Sequence, residues 1–125
     1  MGSVVGYILV IHDNEEDLEN IRLFLTLSGY NIEASSSWEQ ARRLFDRDPS
    51  CDLVIAKMKM KETNGNDIAN YIRNSQKTQI PILAIGGTGN NIDRNLFNSV
   101  LMTPVKLKFL GETVASFLPP TIMPG

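Results

Sequence analysis

Three apolar runs rich in β-branched residues constrain the fold of this chain more than any other feature: YILVI at 7–11, LVIA at 53–56 and ILAI at 82–85. None alternates with polar residues. Each therefore reads as a strand buried on both faces, the habit of parallel sheets covered by helices on either side. The intervals carry helical spacing. DNEED (13–17) offers an N-cap and an acidic first turn, Leu18, Ile21 and Leu25 recur as an inner stripe, and Ser28-Gly29 closes the segment. YNIEAS (30–35) predicts a second strand. Ser36 or Ser37 caps a helix with Ala41, Leu44 and Phe45 inward, which DRDPS (46–50) ends with a proline.

CDLVIAKM (51–58) predicts the third strand, followed by a helix from Gly65 to Asn74 with Ile68 and Ile72 inside. IPILAIG (80–86) predicts the fourth, with Pro81 at its entry, where a missing amide donor is tolerated. A glycine-rich GGTGNN (86–91), a short helix around Asp93 to Phe97 and a fifth strand, SVLMTP (99–104), follow. The last helix, Lys106 to Leu118, is expected to turn Leu107, Leu110, Val114 and Phe117 to one side. Five strands alternating with five helices make an open, doubly wound α/β sheet. Function in such sheets gathers at the carboxyl ends of the strands, here His12-Asp13, Lys57, Gly86-Gly87 and Thr103-Pro104.

At 125 residues and 42% hydrophobic content, the chain suits one domain over 1–118 with a tail at 119–125. A net charge of -2 gives no basic surplus for nucleic acid or an anionic membrane. Cys51, the single cysteine, permits neither an intrachain disulfide nor a multi-cysteine zinc site. No apolar run is long enough to span a bilayer, and the N-terminus lacks the basic region of a secretory signal, so a cytoplasmic location is expected.

In their order and spacing, ILVIHDNEEDLENIRLFLTLSGYNI, DLVIAKMKMKETNGNDIANYIR, IPILAIG and TPVKLKFLGETVASFL resemble the receiver domain of bacterial two-component response regulators. The resemblance implies a flavodoxin-like (βα)5 fold with strand order 2-1-3-4-5. It also implies a phosphoacceptor aspartate at the end of strand three and an acidic pair after strand one that holds magnesium. A Thr or Ser after strand four and a Lys before a proline after strand five complete the family's site. Spacing puts Lys57 at the acceptor position, His12 and Asp13 at the acidic pair, Gly86 at the Thr or Ser position and Thr103 at the lysine position. Val100 occupies the aromatic switch position, Lys61 replaces a common proline, and Gly65 keeps the glycine that starts helix three. The stretch from Gly86 to Thr103 is also shorter than usual.

An amine cannot form an aspartyl phosphate, and magnesium favours carboxylate oxygens over imidazole and ammonium. The expectation is a degenerate, non-enzymatic receiver with no metal or cofactor, bound to a signalling protein or an output domain, with homodimerisation as a further option. Lys57 is expected beside Asp13, its cation replacing that of the metal; a solvent-facing Lys57 is the other reading. His12 alone makes a poor metal site. Leu23 and Leu27, an i, i+4 pair opposite the core stripe, together with Phe109, are candidates for a contact patch. The alternative function is a small-molecule or anion sensor in the crevice around Asp13, Lys57 and Gly86 to Thr88, although GGTGNN matches no nucleotide-binding glycine motif.

Overall fold

The computed structural model describes residues 6–87 and 91–120. Five parallel strands, β1 (Tyr7–Ile11), β2 (Ile32–Ser35), β3 (Cys51–Lys57), β4 (Ile82–Gly86) and β5 (Ser99–Met102), form one sheet in the order β2-β1-β3-β4-β5. The helices are α1 (Glu15–Leu27), α2 (Trp38–Arg47), α3 (Gly65–Arg73) and α4 (Leu107–Phe117). Alternate residues of the strands feed two cores. Ile8, Val10, Leu53, Ile55, Leu83 and Ile85 meet Leu18, Ile21 and Leu25 of α1 and Leu110 and Val114 of α4. Leu9, Ile11, Val54, Ala56 and Ile82 meet Ala41 and Phe45 of α2 and Ile68, Ala69 and Ile72 of α3. The apolar runs lack polar alternation because both sheet faces are covered.

Local chemistry sets the helix ends. Asn14, Ser37 and Asn64 each accept a backbone amide three residues on, at 2.9, 3.2 and 2.9 Å. Of the two serines proposed as caps, Ser37 is the one used. Beyond α1, Gly29 adopts φ 104°, a left-handed turn that a side chain would resist. Gly65 starts α3 in a tight place, where an added Cβ would lie 2.5 Å from Met58 Sδ and 3.1 Å from Met58 Cα.

Two expectations about helices need correction. The segment between β4 and β5 holds no α-helix among its described residues, only a single 3-10 turn at Arg94–Leu96. Among the described residues, four α-helices and this 3-10 turn therefore stand where five helices were expected. Polar clasps hold this segment instead. Arg73 donates to the carbonyls of Leu96 (3.1 Å), Thr78 (2.7 Å) and Ile80 (2.7 Å) and to Asn98 Oδ1 (2.8 Å), which also accepts the Ile82 amide. Asn66 donates to the Asn91 carbonyl and accepts the Asp93 amide. On α4, Phe117 is exposed rather than core-facing, and Leu107 is half-buried. Leu118 packs on the core in place of Phe117, its carbonyl accepting the Tyr30 hydroxyl at 2.6 Å.

Candidate functional site

The helices following β1 and β3 leave on opposite faces of the sheet, so a crevice opens between the carboxyl ends of these neighbouring strands. Asp13 and Lys57 face each other there. Lys57 Nζ lies 3.0 Å from Asp13 Oδ1, with side-chain exposures of 29% and 15%. Asp13 Oδ2 accepts the backbone amide of Lys61 at 3.0 Å. Both carboxylate oxygens are thus engaged by donors of the chain itself. Burial alone would raise the Asp13 pKa, but the hydrogen bond and charge of Lys57 and the Lys61 amide outweigh it and hold the carboxyl below its ordinary range.

The loop that supplies the Lys61 amide is a compact turn after β3. Met58 donates to Ile85 and accepts from Gly65, both at 2.8 Å, and the Met60 amide reaches the Thr63 carbonyl at 3.2 Å. A single antiparallel bridge joins Lys59 to Asn64. The close approach of Gly65 to Met58 lets the loop fold back far enough for Lys61 to reach Asp13. The role of the Lys61 amide was not legible in the sequence, because a backbone donor leaves no residue-type signal.

His12, directly after β1, is buried at 4% exposure. Its Nδ1 accepts the Asn14 amide at 3.1 Å, which places the ring proton on Nε2. Desolvation, then the charge of Lys57, pushes its pKa below the ordinary value, so the ring is neutral near pH 7. Nε2 points toward Asp17 Oδ2 at 3.9 Å, longer than a hydrogen bond. The structure brings His12, Asp13 and Lys57 to neighbouring strand ends. Gly86 is buried at the end of β4, and its carbonyl accepts the Thr103 amide at 3.0 Å.

The other sequence candidates are more dispersed. Thr103 is exposed at the end of β5 and precedes a cis Pro104, while Val100 is half-buried within the strand. Of GGTGNN, residues 88–90, and with them Thr88 of the proposed crevice, lie outside the described residues. Leu23, Leu27 and Phe109 are exposed at 48%, 79% and 57%, on the adjacent helices α1 and α4. Buried Cys51 has its thiol pushed up to about 11, first by desolvation, which leaves it a poor nucleophile. No helix among the described residues is long and apolar enough to cross a membrane.

Comparison with known proteins agrees with the fold. The family model described as "Response regulator receiver domain" matches residues 8–100. The transcriptional regulatory protein CpxR of Klebsiella pneumoniae is 29% identical over 89 residues, 71% of this chain and 37% of the relative. CpxR of Escherichia coli K12 matches to the same extent, so the match spans little more than a third of these relatives' length. Among solved structures, a response regulator receiver domain protein from Clostridium thermocellum superposes with a TM-score of 0.79 at 27% identity, covering 91% of this chain and 94% of its own. Chemotaxis protein CheY4 of Vibrio cholerae shares the fold with a TM-score of 0.81 at 18% identity, covering 92% and 100%.

Proposed function

The chain belongs to the response regulator receiver domain family of two-component signalling, and from that premise we propose that it no longer takes a phosphoryl group and works, without enzymatic turnover, as a protein-interaction module. The observation that carries this reading is the Lys57–Asp13 pair at 3.0 Å. In the family register Lys57 stands where the acceptor aspartate would be, and an ammonium offers no carboxylate for an acyl phosphate. Its cation also occupies the neighbourhood of the one retained acidic residue.

Magnesium, which the family's chemistry implies, does not fit this donor set. Asp13 is the carboxylate that faces Lys57 between the ends of β1 and β3, and both of its oxygens are already engaged. Hard divalent ions favour carboxylate, carbonyl and water oxygens, whereas the neighbouring groups here are an imidazole and an ammonium. Among the described residues, no three His, Cys, Asp or Glu side chains converge as a metal-binding group.

A constitutive module needs a surface rather than a switch. Leu23, Leu27 and Phe109 supply exposed apolar area on α1 and α4, and a protein partner or output domain is the occupant this reading assigns to it. The alternative, an anion sensor in the crevice, has less support, because the Lys57 ammonium that would attract an anion is already neutralised by Asp13.

The test is to treat the protein with acetyl phosphate, and separately with beryllofluoride, each with magnesium. Intact mass and 1H–15N spectra are recorded. The expected outcome is no phosphoryl mass increment and no shift around β3 and β4. A mass increment, or a saturable beryllofluoride shift at the strand ends, overturns the reading. Leu23→Glu with Leu27→Glu is expected to abolish partner capture or self-association with the fold intact; unchanged contacts would exclude the patch.

A further inference from the structure

Beside the strand ends, a cleft of about 570 Å³ opens between α1 and the β5–α4 junction. That volume falls within the roughly 300–1,000 Å³ typical of small-molecule sites. Ile21, Ile85, Val105 and Leu107 give it an apolar wall. His12 contributes the polar group at its base. With Nδ1 committed to the Asn14 amide, Nε2 carries the proton, and its nearest acidic partner, Asp17 Oδ2, stays 3.9 Å away. No buried side-chain polar atom among the described residues is left without a partner, so Nε2 is open to the cleft rather than sealed in protein.

The rim supplies the complementary half. Asp17, 59% exposed, is the charged residue of the lining, and among the described residues its carboxylate has no lysine or arginine partner. A gap of 3.9 Å between Nε2 and Oδ2 is too long for a direct hydrogen bond. A hydroxyl lodged beside both atoms can accept from Nε2–H and donate to the carboxylate. The remaining negative charge of Asp17 favours a cation next to that hydroxyl and disfavours an anion.

We propose that this cleft binds a small amino alcohol, with its hydroxyl bridging His12 and Asp17, its ammonium on Asp17 and an apolar body against Ile21, Ile85 and Leu107. The site adjoins the Asp13–Lys57 crevice without being lined by either residue, and it does not depend on the loss of phosphorylation, which is read by another assay. The full chain is titrated with three probes and followed by 1H–15N spectra. These are 2-amino-1-phenylethanol, mandelate with the same ring and hydroxyl but a carboxylate, and phenethylamine without the hydroxyl.

The amino alcohol is expected to give saturable shifts at the amides of His12, Asp17 and Thr103, phenethylamine weaker ones at the same amides, and mandelate none. Asp17→Asn, a change at an exposed position, is expected to weaken amino alcohol binding several-fold. Asn20→Trp, also exposed on α1 at the cleft wall, is expected to block it. Equal responses to mandelate and the amino alcohol, no saturable shift at those amides, or full binding by Asp17→Asn would each overturn the proposal.

Discussion

Replacing Lys57 with alanine removes a cation from a site that is neither surface nor deep core. Its side chain is 29% exposed and that of Asp13 15%, so the carboxylate left behind is poorly hydrated and keeps only the Lys61 amide. Exposed ion pairs contribute roughly 0.2–1 kcal/mol, while breaking a fully buried pair costs about 3–5 kcal/mol. The intermediate burial here places Lys57→Ala at about 2 kcal/mol of destabilisation, most of it the cost of the stranded carboxylate. With a urea dependence of about 1.5 kcal/mol/M for a domain of this size, the midpoint should fall by roughly 1.3 M at an unchanged slope. The decisive measurement is a double-mutant cycle with Asp13→Ala. Once both charges are gone, the penalty of an unpaired carboxylate disappears, so the double variant should be at least about 1 kcal/mol more stable than the sum of the single losses predicts. If the two losses simply add, the pairing contributes nothing and the account of the site fails.

Acid should destabilise the fold in two steps. His12 and Asp13 both have folded pKa values below their ordinary values of 6.5 and 3.8, so in each case the unfolded chain binds protons first as the pH falls. Stability from His12 is complete above pH 6.5 and erodes below it, and that from Asp13 erodes below pH 3.8. Urea midpoints measured against pH should show the upper step, and His12→Gln should flatten it. Arg73→Ala should cost about 2–3 kcal/mol by stripping donors from three carbonyls and Asn98, with Arg73→Lys a poor rescue because an ammonium lacks the planar fork; proteolysis between residues 74 and 98 would report the local loosening. Gly65→Ala should destabilise by about 1–3 kcal/mol, because its methyl meets Met58 at the backbone as well as the side chain. Gly111→Ala, whose methyl meets only the ring edge of Phe24 at 2.8 Å and gains about 1 kcal/mol of helix propensity, should be near neutral in the same urea assay.

The sheet was legible because its strands announce themselves by composition, and the stripe Leu18, Ile21 and Leu25 needs only the 3.6-residue period. The position of Lys57 at a strand end follows from the same reading, and the expectation of Asp13 as its partner followed from the family resemblance, which sets β1 beside β3. Periodicity misled at Phe117, where α4 ends and Leu118 takes over the core contact. It also favoured a helix around Asp93 to Phe97. That segment is too short for more than one turn and is flanked by Asn91 and Asn98, so clasping by Arg73 and Asn66 replaces helical hydrogen bonding. Such clasps join residues about 25 positions apart and leave no local pattern. The cleft beside His12 was equally hidden, since its walls come from α1, β4 and the start of α4.

Asp13 accepts one bond from the end of a strand and another from the loop that follows it, which gives an exposed loop an unusual anchor. Amide exchange should reveal this. The Lys61 side chain lies in solvent, yet its N–H cannot meet a hydroxide ion until Asp13 lets go. A proton on the outside of the molecule should therefore exchange at the pace of the ion pair between β1 and β3, and quicken when Lys57 is removed.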